Sequence, residues 1–195
     1  NGNRLRLGDV MKLAKRSISG SDDNKLNFVL LGDPALHLTY PEHKLVVTEI
    51  NGISVENSSA SDIQLQARAM VTVKGEVRSS ANNGNGTKLT DYNGIIYPRL
   101  YDSQTTVTTN GNGTDGNDKT GEPFTFKERT NLLYTAKDSI KNGEFSFQFK
   151  MPKELNYSLE SGYLNLYAGS LLNGEAYGAC TNFIIGGMDN TVPED

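Results

Sequence analysis

Cys180 is the one thiol among the 195 residues, and His37 and His43 are the only imidazoles. A cysteine nucleophile needs a base beside it. Both histidines lie far upstream, and Ala179-Cys180-Thr181 sets the thiol among small residues ahead of an apolar run, which reads as a packed side chain. A lone cysteine excludes an internal disulfide and a thiolate-rich zinc site, and two histidines leave little material for a transition metal. Oxygen donors are better represented. Asn110, Asn112, Asp115, Asn117 and Asp118 crowd one loop with hard ligands of the kind Ca²⁺ takes. The loop lacks a closing Glu and the full alternation of a calcium hand, so it is expected to be simply solvated. Gly8-Asp9 and Gly32-Asp33-Pro34 lack the glycine spacing and the Lys of a phosphate cradle, and are expected to be turns whose Asp caps backbone donors. Gly174-Glu175-Ala176-Tyr177-Gly178 joins side chains suited to sugar hydroxyls and faces, and is expected as a hairpin connection. Asn-x-Ser/Thr sequons begin at Asn57, Asn85, Asn112 and Asn156, as chance gives in a chain so rich in Asn. No position is therefore assigned a catalytic, cofactor-binding or metal-ligating role.

Composition narrows the class. A net charge of −4, with 36% hydrophobic and 22% charged residues, argues against gripping nucleic acid or an anionic membrane surface. No run approaches the length of a membrane span. The start, Asn1-Gly2-Asn3-Arg4, has neither an initiator Met nor a signal-peptide core, so the chain is expected to be a piece of a longer protein.

Two patterns divide the sequence near Tyr40-Pro41-Glu42. From Leu7 to Ile18 the apolar residues Leu7, Val10, Met11, Ala14 and Ile18 recur at three and four, which predicts one amphipathic helix with Gly20 as its stop and Lys12–Arg16 on its wet face. Leu26–Leu31 is an almost continuous apolar run closed by Gly32-Asp33-Pro34, and predicts a strand covered on both faces as in a parallel sheet. One helix and one such strand cannot cover each other, so residues 1–40 read as the end of a larger α/β domain. Beyond residue 43 the period becomes two. From Ile63 to Val77 the apolar residues fall on every second position apart from Gly75, with polar residues on most of the alternates, which predicts one strand bent near Gly75, or two. Further strands are expected at Lys44–Ile50, Ile95–Tyr101, Thr105–Thr109, Asn131–Ala136, Glu144–Lys150, Tyr163–Ala168 and Asn182–Ile185, with turns at Asn51-Gly52, Asn93-Gly94, Asn142-Gly143 and Asn173-Gly174. The low-complexity segments Asn82–Gly86 and Asn110–Asp118 are expected to be mobile loops. The fold class is mainly β, an immunoglobulin-like or fibronectin-type sandwich over 41–195 after a helix-plus-strand remnant over 1–40.

The run Asp22-Asp23-Asn24-Lys25-Leu26-Asn27-Phe28-Val29-Leu30-Leu31-Gly32-Asp33-Pro34-Ala35-Leu36-His37-Leu38, preceded by the helix Gly8–Lys15, resembles the end of the catalytic domain of the gingipain-type (C25-like) cysteine peptidases. Val71–Gly75, Leu89–Pro98, Phe126–Arg129, Asn142–Phe147 and Asn182–Gly187 are similar to the region that follows that domain in the family's type IX secretion sortase branch. The resemblance implies a caspase-like α/β domain upstream, holding the catalytic His and Cys. It implies an exported parent enzyme on the bacterial outer membrane, and a chain that is itself non-catalytic. Implied partners are the upstream protease domain of the same polypeptide and exported cargo or secretion components, met through edge strands and loops.

Two other readings stand beside this one. A glycan-binding β-sandwich would cluster exposed rings on one face, drawn from Tyr92, Tyr97, Tyr101, Tyr163, Tyr167 and Tyr177. A structural spacer would show no concave site at all.

Overall fold

The computed structural model describes residues 5–18, 27–38, 40–80, 86–111, 122–189 and 191, and the chain divides into two compact units, Asn1–Tyr40 and Pro41–Asp195.

The first unit is built on α1 (Leu7–Ser17). Arg6 at its N-cap is extended and gives no side-chain cap, so the free N–H groups of the first turn need other acceptors. The Gly-Asp-Pro turn supplies them: Leu7 N donates to Leu36 O at 2.8 Å and Gly8 N to Pro34 O at 2.9 Å. A Cβ on Gly8 would stand 3.0 Å from Pro34 Cβ, so the close approach of helix and turn favours glycine there. Asp33 Oδ1 accepts from Ala35 N at 2.8 Å, the capping role expected of it. Asp9 instead pairs with Arg6 at 2.9 Å, which pulls its carboxyl below the usual carboxylate range. The Leu26–Leu31 strand is corrected. Leu26 lies outside the described residues, as do the Gly20 stop and the turn at 21–24, and Phe28–Leu31 runs as irregular chain. Phe28, Val29 and Leu31 are 59%, 73% and 94% exposed. A ladder needs neighbours on its edges, and none of the described residues of this unit pairs with this stretch. No residue of α1 is buried either, so its apolar stripe stands uncovered.

The second unit is mainly β, with a 3-10 turn at Ala60–Asp62. Its strands are β1 (His43–Ile50), β2 (Ile53–Ser54), β3 (Gln64–Ala67), β4 (Met70–Ser79), β5 (Gly94–Tyr101), β6 (Thr105–Thr108) and β7 (Thr125–Glu128). After these come β8 (Leu132–Thr135), β9 (Asp138–Ile140), β10 (Glu144–Lys150), β11 (Glu160–Ser161), β12 (Tyr163–Ser170), β13 (Gly174–Cys180) and β14 (Ile184–Met188). A nine-stranded sheet runs β10-β4-β1-β13-β12-β5-β8, with β2 on β1 and β9 on β5. All its pairings are antiparallel except β1 with β13. Because β9 lies on β5 at one end of the order and turns at Asn142-Gly143 into β10 at the other, the sheet is nearly closed. Both turn residues have positive φ, 51° and 73°, as a tight two-residue hairpin requires, and Asn51-Gly52 repeats the device at 51° and 83°. A smaller sheet, β11-β14-β3, closes one side, and β6 and β7 form a separate hairpin.

Period-two burial fills the interior with Leu45, Val47, Val71, Val73, Val77, Ile96, Leu100, Phe145, Phe147, Phe149, Leu164 and Leu166, and the small sheet adds Leu65, Ala67 and Ile185. The alternating run from Ile63 resolves into two strands. Arg68, at φ 69°, breaks it, and the chain passes from the small sheet into the large one. The irregularity expected at Gly75 lies in the facing strand, between Val47 and Glu49. Gly174–Gly178 is corrected too, since these residues are the body of β13 rather than a connection. Its inward residues, Ala176, Gly178 and Cys180, are small. A Cβ on Gly178 would fall 1.9 Å from Leu45 O, so that crossing admits no side chain.

Candidate functional site

The residues whose chemistry opened the sequence reading do not assemble. Cys180 is 7% exposed at the end of β13, and burial pushes its thiol up from the ordinary cysteine range. His43 Nε2 sits 2.9 Å from Asn173 O, before the start of the same strand, which separates it from Cys180 by roughly 23 Å of extended chain. The calcium-loop residues Asn112, Asp115, Asn117 and Asp118 lie outside the described residues, as do most of the two low-complexity segments and the sequon residues Asn85 and Asn112. Among the described residues no group of three His, Cys, Asp or Glu is placed to share a metal ion. Among the described residues no helix is long and apolar enough to cross a membrane.

The thiol's burial has a measurable consequence. Its raised pKa keeps Cys180 protonated in the folded chain where the unfolded thiol ionises, so this contribution to stability is whole below the unfolded pKa and is lost as pH rises through the folded one. Iodoacetamide is expected to modify the native chain about a hundredfold more slowly than the urea-unfolded chain at pH 8.5. Equal rates would show that the strand end opens freely.

What the fold does assemble is tyrosines. Outward positions of β5, β12 and β13 face the same side, because directly paired residues share a sheet face. The ladder sets Tyr97 opposite Tyr167 and Tyr167 opposite Tyr177, a row of three rings across three strands. The next outward row is Arg99, Asn165 and Ala179, and the one after it pairs Tyr101 with Tyr163. Tyr97 and Tyr167 centroids lie 6.2 Å apart, and Tyr101 and Tyr163 6.3 Å. Of the six tyrosines singled out from the sequence, five stand on this face. Tyr92 is fully buried instead, donating to Gly174 O at 2.9 Å with its ring edge-on to His43.

The rings are fixed by their own hydroxyls. Tyr167 donates to Glu175 at 2.8 Å, and this bond, with some burial, holds its phenol above the ordinary tyrosine range. The Tyr163 and Tyr177 hydroxyls share a hydrogen bond of 3.0 Å, which with burial raises Tyr177 likewise. Arg129, from the segment after β7, lays its guanidinium 5.5 Å from the Tyr163 ring centroid and donates to Ser161 O at 3.3 Å. Tyr101, Arg129, Tyr163 and Asn165 line an open depression of 330 Å³. Ring faces remain available: Tyr97, Tyr167 and Tyr177 are each about 40% exposed. Of the polar members of the face, Glu175 lay in the Gly174–Gly178 segment already noted for sugar chemistry and Arg129 in the Phe126–Arg129 resemblance, while Arg99 and Asn165 carried no motif in the sequence. The signal of Arg99 and Asn165 was only the outward alternation of β5 and β12, which leaves neighbouring strands unspecified.

No protein-family model matches the chain, and no curated protein does. Solved structures do. The crystal structure of dimeric latent PorU from Porphyromonas gingivalis matches with 25% sequence identity and a TM-score of 0.62, over 95% of this chain and 17% of that one. The chain is related to a segment of PorU. It spans well under two thirds of that protein, and 95% coverage takes in most of both units described above. Two weaker overlaps carry no argument. The sporulation control protein Spo0M from Bacillus subtilis matches at 8% identity and a TM-score of 0.39, over 76% of this chain and 50% of that one. A superoxide reductase from Ignicoccus hospitalis matches at 12% and 0.29, over 74% and 82%. The likeness to PorU thus falls on a chain whose one thiol is buried and stands apart from His43.

Proposed function

We propose that this chain is the non-catalytic C-terminal module of a PorU-like, gingipain-family cysteine peptidase of type IX secretion, exported to the bacterial cell surface. Residues 1–40 are the end of its caspase-like α/β domain. Residues 41–195 are an immunoglobulin-like module that supports the protease and docks cargo or secretion components. The observation that carries this reading is the similarity to PorU along 95% of the chain. The bare stripe of α1 and the exposed Phe28, Val29 and Leu31 agree with it, since a peptidase sheet lying upstream would cover them.

The test uses a longer chain that includes the upstream domain, with Cys180→Ser so that any essential thiol lies elsewhere, made with and without residues 41–195. Peptides carrying a C-terminal secretion signal are the substrate. Cleavage is expected, iodoacetamide is expected to abolish it, and removal of 41–195 to weaken it. Absence of thiol-dependent cleavage from both forms overturns the proposal.

A further inference from the structure

We propose that the outer face of β5, β12 and β13 is a carbohydrate-binding surface that seats a pyranose polysaccharide along its tyrosine rows. The inference rests on the face alone and stands apart from the peptidase reading. A pyranose ring presents C–H groups on its two faces and hydroxyls around its rim. It is held where flat rings meet the faces and planar hydrogen-bonding groups meet the rim. This surface alternates those two kinds of group. The row Tyr97, Tyr167, Tyr177 is followed by Arg99 and Asn165, and then by Tyr101 and Tyr163. The tyrosine rows stand four residues apart along β5 and β12, roughly 13 Å, a span that calls for a chain of sugars rather than one.

Two further features favour a sugar over a polypeptide. The rings are set in place before any ligand arrives, through Tyr167 to Glu175 and Tyr163 to Tyr177, so little side-chain freedom remains to be lost on binding. Those hydroxyls are occupied within the face, which leaves ring planes as the contact surface. The depression between the rows is bounded by two phenols, a guanidinium and an amide, with no aliphatic wall. A protein partner draws its affinity from anchors sunk into desolvated pockets, and this shallow, planar site offers none. Nucleic acid is disfavoured by the net charge of −4 and by Glu175 within the face.

The full 195-residue chain is applied to an array of microbial, plant and animal glycans, and the strongest hit is then titrated by calorimetry. Retention of at least one polysaccharide is expected. Tyr167→Ala and Tyr163→Ala are each expected to weaken it about tenfold or more, as loss of a central aromatic contact does. Tyr167→Phe keeps the ring and is expected to stay within about threefold. Tyr157→Ala, an exposed tyrosine on the loop after β10, is expected to leave affinity unchanged, and thermal melting of each variant verifies folding. Failure to retain any glycan overturns the proposal, as does loss of binding equal in Tyr157→Ala and Tyr167→Ala. Binding to arrayed glycoproteins that survives enzymatic deglycosylation also overturns it and makes the face a protein interface.

Discussion

Phe147→Ala is expected to destabilise the chain by about 3–5 kcal/mol, the range for emptying an aromatic site in a packed core. The position is severe because of where the sheet closes. Among the described residues β10 forms a ladder only with β4, and on its other side only the bridge Lys141↔Glu144 links it to the residue just after β9. Rings fill that seam. Phe145, Phe147 and Phe149 point inward from β10 with neighbouring centroids 6.2 and 6.3 Å apart. Tyr134 of β8 stacks on Phe149 at 4.1 Å and beside Phe147 at 6.1 Å. Removing the middle ring opens a cavity and unseats the stack that stands in for absent hydrogen bonds. At about 2–4 °C per kcal/mol for a chain of this size, the melting midpoint should fall by roughly 6–20 °C. Phe124→Ala, in an exposed stacked pair with Phe126, should stay within about 0.5 kcal/mol. A loss under about 1 kcal/mol at Phe147 would mean that the seam relaxes to fill the space.

The seam strand was legible because Phe145, Phe147 and Phe149 alternate with Glu144, Ser146, Gln148 and Lys150, and one buried face fixes the period. β13 was not. Its inward residues are Ala176, Gly178 and Cys180, with Leu45 O too near Gly178 for any side chain there, and small residues give no hydropathy alternation to read. The same closeness that makes β13 central hides it in the sequence. β7 and β9 escaped for a different reason, being short strands held by their neighbours rather than by an apolar face. Phe28–Leu31 is the opposite error. Its apolar run is real, but a strand is a property of a sheet, and among the described residues of this unit no sheet receives it.

The tyrosine face divides in the same way. That Tyr97 and Tyr101, or Tyr163 and Tyr167, share a side follows from spacing within one strand. Their assembly into rows depends on β12 lying between β5 and β13. Pairing of β12 with β5 joins residues from Tyr163↔Tyr101 to Gly169↔Ile95, far apart in the chain, which no local pattern encodes. The Gly32-Asp33-Pro34 turn was read as local capping, and Asp33 does cap locally. Its neighbours Pro34 and Leu36 also cap α1 from a distance, through main-chain carbonyls that every residue type possesses and no composition reveals.

Asp102→Ala is the second large effect, at about 3 kcal/mol, and it comes from polar rather than apolar loss. Asp102 follows β5 and is 2% exposed, and no cation lies against it among the described residues. Its burial is balanced by donors alone. Oδ1 accepts from Ser103 N at 2.8 Å, while Oδ2 accepts from Asn156 N at 2.8 Å and Asn131 Nδ2 at 3.1 Å. One carboxylate thereby ties together the end of β5, the approach to β8 and the loop after β10. Alanine strands all three donors, two of them part-buried, and the asymmetry of hydrogen bonding makes an abandoned buried donor cost more than the bond contributed. Asp102→Asn separates this from mere loss of volume. It keeps one acceptor oxygen for the Asn131 and Asn156 donors but turns an N–H toward Ser103 N, so it should cost about half as much as alanine. Urea unfolding of the two variants reads both values. Equal losses for Asn and Ala would mean that negative charge, not the count of acceptors, organises the three segments.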